Sequence, residues 1–322
     1  YIHVKNVEDL KFRPIIAGPI CPTSHLSAFL DEILKPMLPH VQSYVRDDQD
    51  FLLKLDRNIT EDTVLATFDV ESLYTNIDHQ IGKEAISFWI DKYKDKIPQR
   101  MNRNLIIEAL DIVLKNNTFI FNNTLFLQLI GTAMGTKMAP TYANLVLGYL
   151  ELKLYSECER LHGLEFRQFI EKGWKRYLDD GYITWNNTFG NIQLLEDLLN
   201  NLHKSIRFTS ENNKDRIPFL DILIIANSQQ MKLITDIFHK KTDTFNYLPF
   251  NSCHPRHIKK NIPYTLARRI RFLAEDESTR DLRFKELKTR LLSKGYPEWI
   301  IDCGIDKAKH LKPDELYRSE ER

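Results

Sequence analysis

Three aspartates are spaced so that folding could bring them together. Asp69 lies near the end of the apolar run Val64-Leu65-Ala66-Thr67-Phe68-Asp69-Val70, and Asp179 and Asp180 stand side by side between the stretches 174–177 and 182–185. Holding two hard divalent cations takes several carboxylate oxygens converging on one spot, with room left for substrate phosphates and water. Strand ends can supply that convergence. Side chains on a flat strand alternate between faces, so adjacent aspartates share a site only where the chain turns. Asp179-Asp180-Gly181 reads as such a place, a hairpin with an Asp-Gly turn. Asp-Asp-Gly is also a well-formed turn with no further role. Tyr177 and Leu178 in front of it, and the strand-end Asp69 upstream, favour the chemical reading.

The surrounding pattern predicts the elements that position these residues. Phe12-Arg13-Pro14-Ile15-Ile16 reads as extended, because a residue before proline is pushed out of the helical basin. A helix follows from Thr23 or Ser24 as N-cap, with Leu26, Phe29, Leu30, Ile33 and Leu34 at helical spacing until Pro36 and Pro39. The run 64–70 is short enough for a buried strand. Helical periodicity recurs over 81–93, 104–114, 138–155 and 194–202, with Pro140 tolerated in a first turn. Thr118-Phe119-Ile120-Phe121 and Thr124-Leu125-Phe126-Leu127 flank Asn122-Asn123, a pair that tolerates positive φ, and so read as a hairpin. Residues 217–226 return to strand, and charged helices are expected over 280–290 and from Pro297 onward. The whole is an α+β pattern with a largely antiparallel sheet.

Three regions emerge: 1–60, 61–234 with an inserted part at about 80–130, and 235–322, which turns helical and basic. Between Thr235 and Phe272 the cations Lys240, Lys241, Arg256, Lys259, Lys260, Arg268, Arg269 and Arg271 face only Asp236 and Asp243. Mixed with Tyr247 and Phe250, they suit a surface that grips a nucleic-acid backbone.

In a chain of 322 residues, 45 Lys plus Arg against 44 Asp plus Glu and 43% apolar side chains exclude disorder, collagen and coiled coil. The net charge of +1 argues against a uniformly basic coat protein, while leaving local clusters open. Cys21, Cys158, Cys253 and Cys303 form no CxxC pair, which points to neither a disulfide framework nor a zinc ribbon and fits a reducing compartment. Cys253-His254-Pro255-Arg256-His257 has no second Cys/His pair nearby and reads as a loop. No apolar run approaches the roughly 20 residues of a membrane span. The chain opens on Tyr1-Ile2-His3, with neither an initiator Met nor a signal-peptide pattern, and reads as an excerpt of a longer protein.

The motifs carry a resemblance. RYLDDGYI resembles the Y-x-D-D catalytic hairpin of reverse transcriptases, and ATFDVESLYTNI their first catalytic motif, an Asp followed five positions later by an aromatic. GTAMGTKMAPTYANL resembles the loop and helix that lie along the incoming nucleotide and template, and FRPIIAGP the fingers motif that holds the triphosphate. All four occur in the family order. The forms GTAMGTKMAP and FDVESLYTNI, with RFTSE and IPFLDILI later, look most like the reverse transcriptases of Penelope-like retroelements, relatives of telomerase. The resemblance implies a right-hand polymerase, with partial fingers in 1–60, a palm in 61–234 and a helical thumb with a C-terminal extension in 235–322. The family usually carries a longer segment before the RPI motif, inside which this chain begins at YIHVK, and many members end in a GIY-YIG endonuclease, whose motif does not appear in the residues after Trp299.

Carried over by position, Asp69, Asp179 and Asp180 would be catalytic and would bind two Mg²⁺ ions, for which Mn²⁺ could substitute, with the Val70 carbonyl as a further ligand. Tyr74 matches the aromatic gate that excludes a 2′-hydroxyl. Arg13, with Lys11 beside it, matches the fingers cation on the triphosphate, and Gly135 the glycine that lets backbone approach the nucleotide. Arg256, Lys259, Lys260, Arg268 and Arg269 would hold nucleic acid. Lys204 and Lys214 both lie near the segment where the family places a general acid. The partners implied are an RNA template, a DNA primer and dNTPs, with no membrane; the site of action implied is nuclear, or otherwise intracellular. Two alternatives stay open: an RNA-dependent RNA polymerase, against which Tyr74 argues, and a domesticated or truncated copy that binds nucleic acid without catalysis, against which the intact aspartates argue.

Overall fold

The computed structural model describes residues 21–311 in full and the backbone of residues 2–4 and 12–14. In chain order it opens with strands β1 (Ile2–Val4) and β2 (Phe12–Pro14), paired antiparallel with His3 opposite Arg13. Helix α1 (Ser24–Leu34) starts after Thr23, which holds the N-cap position without a side-chain cap bond, and tightens into a 3₁₀ stretch over Lys35–His40. Then come α2 (Asp48–Lys54), β3 (Thr63–Val70), α3 (Leu73–Asn76), α4 (His79–Lys92) and α5 (Arg103–Lys115). The expected hairpin is β4 (Thr118–Phe121) and β5 (Thr124–Leu127), with Asn122 and Asn123 at φ 48° and 59°. Helices α6 (Ala139–His162) and α7 (Leu164–Gly173) lead to β6 (Lys175–Tyr177), β7 (Asp180–Asn186), α8 (Gln193–Asn200) and β8 (Phe208–Asn213). The chain finishes with β9 (Arg216–Phe219), β10 (Ile222–Asn227), β11 (Lys232–Ile237), α9 (Arg256–Leu273), α10 (Glu277–Ser293) and α11 (Glu298–Lys309).

The chain forms two units. The first comprises Tyr1–Arg46 and Ala66–Glu211. Its sheet runs β6-β7-β3-β8, and β3 sits inside it because its residues, rich in β-branched and aromatic side chains, are buried nearly throughout. Helix α6 is apolar on most of its circumference and buried accordingly, packed against α1, α4, α7 and α8. Trp89 of α4 is fully enclosed and donates its indole N–H to the Leu145 carbonyl at 2.8 Å, which ties α4 to α6. The amphipathic α4 and α5 begin where Asp78 and Asn102 accept backbone N–H groups of their first turns.

The second unit comprises Asp47–Leu65 and Asn212–Arg322. Its sheet runs β11-β10-β9, antiparallel throughout, and α9, α10 and α11 pack on one another. Asp236 of β11, buried, receives the Arg283 guanidinium of α10 at 2.6 Å, so sheet and helices are joined by a paired charge. Two expectations change here. The run 217–226 is two strands, not one, because Leu220 at φ 55° turns the chain before Asp221. The basic stretch from 235 begins as strand and loop, and becomes helical only at Arg256. Among the described residues, no helix is long and apolar enough to cross a membrane.

Candidate active site

The strand pairing brings two of the three aspartates together. The Val70 N–H, one residue past Asp69 on β3, donates to the Asp179 carbonyl at 3.1 Å. The next amide, Glu71 N–H, donates to the Arg207 carbonyl at 2.9 Å, so the end of β3 is held from both sides. Asp69, Asp179 and Asp180 are all half-buried, with water access still open.

The hairpin register corrects the expected turn. Tyr177 pairs with Asp180 and Arg176 with Gly181, so the two-residue connection is Leu178-Asp179, and Asp180 is already the first residue of β7. Leu178 sits at φ 52°, a left-handed conformation that a leucine adopts only at a cost of roughly 1–2 kcal/mol. Gly181 is therefore not a turn glycine. It is buried in the strand, where a Cβ would fall 2.4 Å from Cη2 of Trp174 and 3.2 Å from Cβ of Phe68.

Beneath the turn lies a fully enclosed cation. Arg176 is 0% exposed. Its Nε donates to Glu151 Oε1 at 2.6 Å and its Nη2 to Oε2 at 3.3 Å and to the Asn144 carbonyl at 3.3 Å. Its Nη1 reaches Asn144 Oδ1 and the Leu178 carbonyl, both at 2.9 Å. Glu151 also accepts from Ser43 Oγ at 2.6 Å and from Trp174 Nε1 at 2.8 Å. A buried ion pair is tolerable only when its remaining donors and acceptors are met, as they are here. Sequence reasoning missed both residues. Lys-Arg-Tyr before the aspartates looks like a surface strand, and Glu151 lies on a helix far away in sequence.

Tyr74 stands on the short helix α3, half-buried beside Asp179. Its hydroxyl pKa is pushed up to about 12, first by burial, then by the negative charge of Asp179 and by Tyr177, so the phenol keeps its proton at neutral pH. The loop before α6 is fastened to α3 and to the start of α4: the Thr132 N–H donates to the Tyr74 carbonyl at 2.6 Å, and the Gly131 carbonyl lies 2.8 Å from His79 Nε2. Gly131, at φ 78°, allows this, because a Cβ there would lie 2.3 Å from the Tyr74 carbonyl oxygen. Gly135, the glycine expected to face a nucleotide, lies exposed in the same loop at φ 108°. A cleft of about 280 Å³ opens along Leu178 and Tyr177, with Asn144 and Pro140 of α6 and the cations Lys35, Arg46 and Lys137 on its walls.

The remaining expected residues lie elsewhere. Lys11 lies outside the described residues, as does the side chain of Arg13, whose backbone pairs with His3. Along α9, Arg256 and Lys260 are exposed and Arg268 is half-buried. Arg269 is ion-paired with Asp221 and lies 3.7 Å from Asp48. Lys259 is buried, donating to the Ser252 carbonyl at 2.7 Å with its ammonium over the Phe250 ring. These five cations therefore do not share one face.

Carboxylate oxygens at strand ends suit a hard divalent ion. Asp69 and Asp179 meet that chemistry, each within one residue of the Val70–Asp179 bond. Among the described residues, no three His, Cys, Asp or Glu side chains are gathered as a ready coordination shell, so oxygens from a bound substrate would have to complete one.

Comparison with known proteins places the fold. The telomerase of Candida albicans, solved with a fragment of telomeric RNA, superposes with a TM-score of 0.56 at 10% identity, over 85% of this chain and 48% of that one. A Candida tropicalis telomerase, also solved with telomeric RNA, gives 0.50 at 14% identity over 90% and 56%. The RNA-dependent RNA polymerase of BmCPV gives 0.51 at 12% identity over 88% and 25%. The chain thus spans about half the length of the telomerases and a quarter of the viral enzyme. An animal helix-turn-helix domain family matches residues 246–306, which include α9 and α10 and most of α11. No curated protein matches the sequence. The fold is that of a nucleic-acid polymerase, mixed helix and antiparallel sheet.

Proposed function

We propose that the chain is an RNA-directed DNA polymerase of the Penelope-like retroelement kind, extending a DNA primer 3′-hydroxyl on an RNA template with dNTPs. The observation that carries the reading is the Val70–Asp179 backbone hydrogen bond, which joins the end of β3 beside Asp69 to the turn that carries Asp179, with Tyr74 near Asp179. It supports the reading drawn from the motifs, in a fold similar to that of telomerase.

In this reading Asp69 and Asp179, with Asp180 and the Val70 carbonyl alongside, hold two magnesium ions, or manganese in their place. The ions supply charge neutralisation at the triphosphate and a more acidic primer hydroxyl. The chain's own residues do the positioning. The neutral Tyr74 ring lies under the sugar and leaves no space for a 2′-hydroxyl. Gly135 and the loop fastened by Thr132 admit the nucleotide, and Arg13 with Lys11 pairs with phosphate oxygens. Lys35, Arg46 and Lys137 line the adjoining cleft, where a strand backbone can run. Arg256, Lys260 and Arg268, with Arg269 and Lys259 behind them, belong to a thumb in 235–322, and fingers and palm divide the rest at 1–60, about 80–130 and 61–234. Action on chromosomal primers puts the protein in the nucleus.

Primer extension on an RNA template, with dNTPs and rNTPs in parallel, tests the reading. DNA synthesis that depends on Asp69 and Asp179 is expected. Efficient RNA synthesis with no use of dNTPs would favour instead a viral-type RNA polymerase, whose fold is also similar.

A further inference from the structure

The second unit carries an exposed face that includes three of the cations the polymerase reading assigns to its thumb, together with residues of α11 that it does not use. On α9, Arg256, Lys260, Tyr264 and Arg268 recur every fourth residue and so share one side of the helix. On α11, Trp299, Cys303 and Lys307 do the same. The two rows meet. The Lys260 ammonium lies 5.9 Å from the Trp299 ring centroid, and the Lys307 ammonium 4.3 Å from that of Tyr264, so each helix sets a cation against a ring of the other.

Trp299 is 66% exposed, unlike Trp89, Trp174 and Trp185, which are all enclosed. Tryptophan is costly to leave in water, and a flat indole bordered by cations offers a stacking surface. The neighbouring carboxylates are occupied: Glu298 and Asp302 both take Lys288 of α10 at 2.7 Å. Among the described residues, no ion pair engages Arg256, Lys260, Arg268 or Lys307. The face is cationic and aromatic together.

We propose that the seam of α9 and α11 binds single-stranded nucleic acid, with an unpaired base stacked on Trp299 and flanking phosphates held by Arg256, Lys260 and Lys307. An unpaired strand is the occupant because a duplex hides its base faces, whereas indole stacking needs one bare. The inference rests on the polymerase reading for its nucleic-acid partner and names the strand form and the stacking residue, while the binding itself requires neither metal nor turnover. The helix-turn-helix match over 246–306 makes duplex DNA the rival occupant.

The test is binding by the full chain in magnesium-free buffer, followed by tryptophan fluorescence. The probes are oligo(dT) and oligo(U) of about 12 nucleotides and a blunt duplex of equal length. With the other three tryptophans enclosed, quenching reports Trp299. Both single strands are expected to quench and to bind more tightly than the duplex. For the variants, which lack the reporting indole, affinity is read from the anisotropy of a dye-labelled probe: Trp299→Ala should weaken both single strands about tenfold while Trp299→Phe stays close to wild type. Lys260→Gln should reduce the salt dependence by about 0.7 in log–log slope. An Asp179→Ala chain should bind unchanged, which separates this site from the catalytic reading. Duplex binding as tight as single-strand binding, no quenching, or equal affinity in Trp299→Ala would overturn the proposal.

Discussion

Arg176, with no exposed surface, donates from Nη1 to the carbonyl oxygen of Leu178 at 2.9 Å and so holds the residue that turns the chain into Asp179. The same guanidinium is locked to Glu151 and Asn144, which belong to the longest buried helix of the first unit. A left-handed leucine persists only where its surroundings over-determine it. Here a buried ion pair does so, and the aspartate turn inherits the rigidity of α6.

Breaking that pair should therefore cost stability. Arg176→Met or Glu151→Leu alone leaves one buried charge uncompensated, and each should destabilise by about 3–5 kcal/mol in denaturant unfolding. The double replacement should be milder than the two single effects added. Arg176→Lys retains charge but not the planar fork, and should also fail to restore wild-type stability. Additive effects in the cycle would contradict the pairing.

Gly181 offers a packing test of the corrected register. Gly181→Ala places a methyl against the Trp174 and Phe68 side chains and should cost about 1–3 kcal/mol. A turn glycine free of neighbours would accept alanine at far lower cost. Unchanged unfolding would show that Gly181 faces open space.

Much of this was legible in the sequence, and the failures have physical causes. The Asn122-Asn123 hairpin, the helices over 81–93 and 104–114 and the buried β3 run follow from local chemistry that nothing in the tertiary structure overrides. Asp180-Gly181 misled because its turn chemistry is genuine but unused; the glycine is needed for Trp174. Leu220 hid the turn between β9 and β10, since leucine at positive φ is not a turn signal. Arg176 and Glu151 could not be read at all. A buried charge is defined by partners distant in sequence, and its type is that of a surface residue.

The Tyr74 hydroxyl gives a pH signature. Its folded-state pKa of about 12 exceeds the ordinary 10.0, so the folded chain holds the proton more tightly. The stability this contributes is complete below about pH 10 and is lost as pH rises toward 12. Tyr74→Phe should remove that part of the alkaline loss. Asp179→Asn should lower the Tyr74 pKa only in part, because burial is the larger cause. An ultraviolet difference titration of wild type against Tyr74→Phe, in each background, measures both. A Tyr74 pKa that ignores Asp179 would mean the two side chains are not neighbours.

The most direct measurement of the central claim is single-turnover extension of a DNA primer on an RNA template with magnesium, by wild type, Asp179→Ala and Tyr74→Ala. The account predicts dNTP extension by wild type, a fall of at least about a hundredfold in Asp179→Ala with primer–template binding retained, and ribonucleotide use that rises in Tyr74→Ala. Extension that survives Asp179→Ala, or wild type that binds primer and template yet adds no nucleotide, would contradict it.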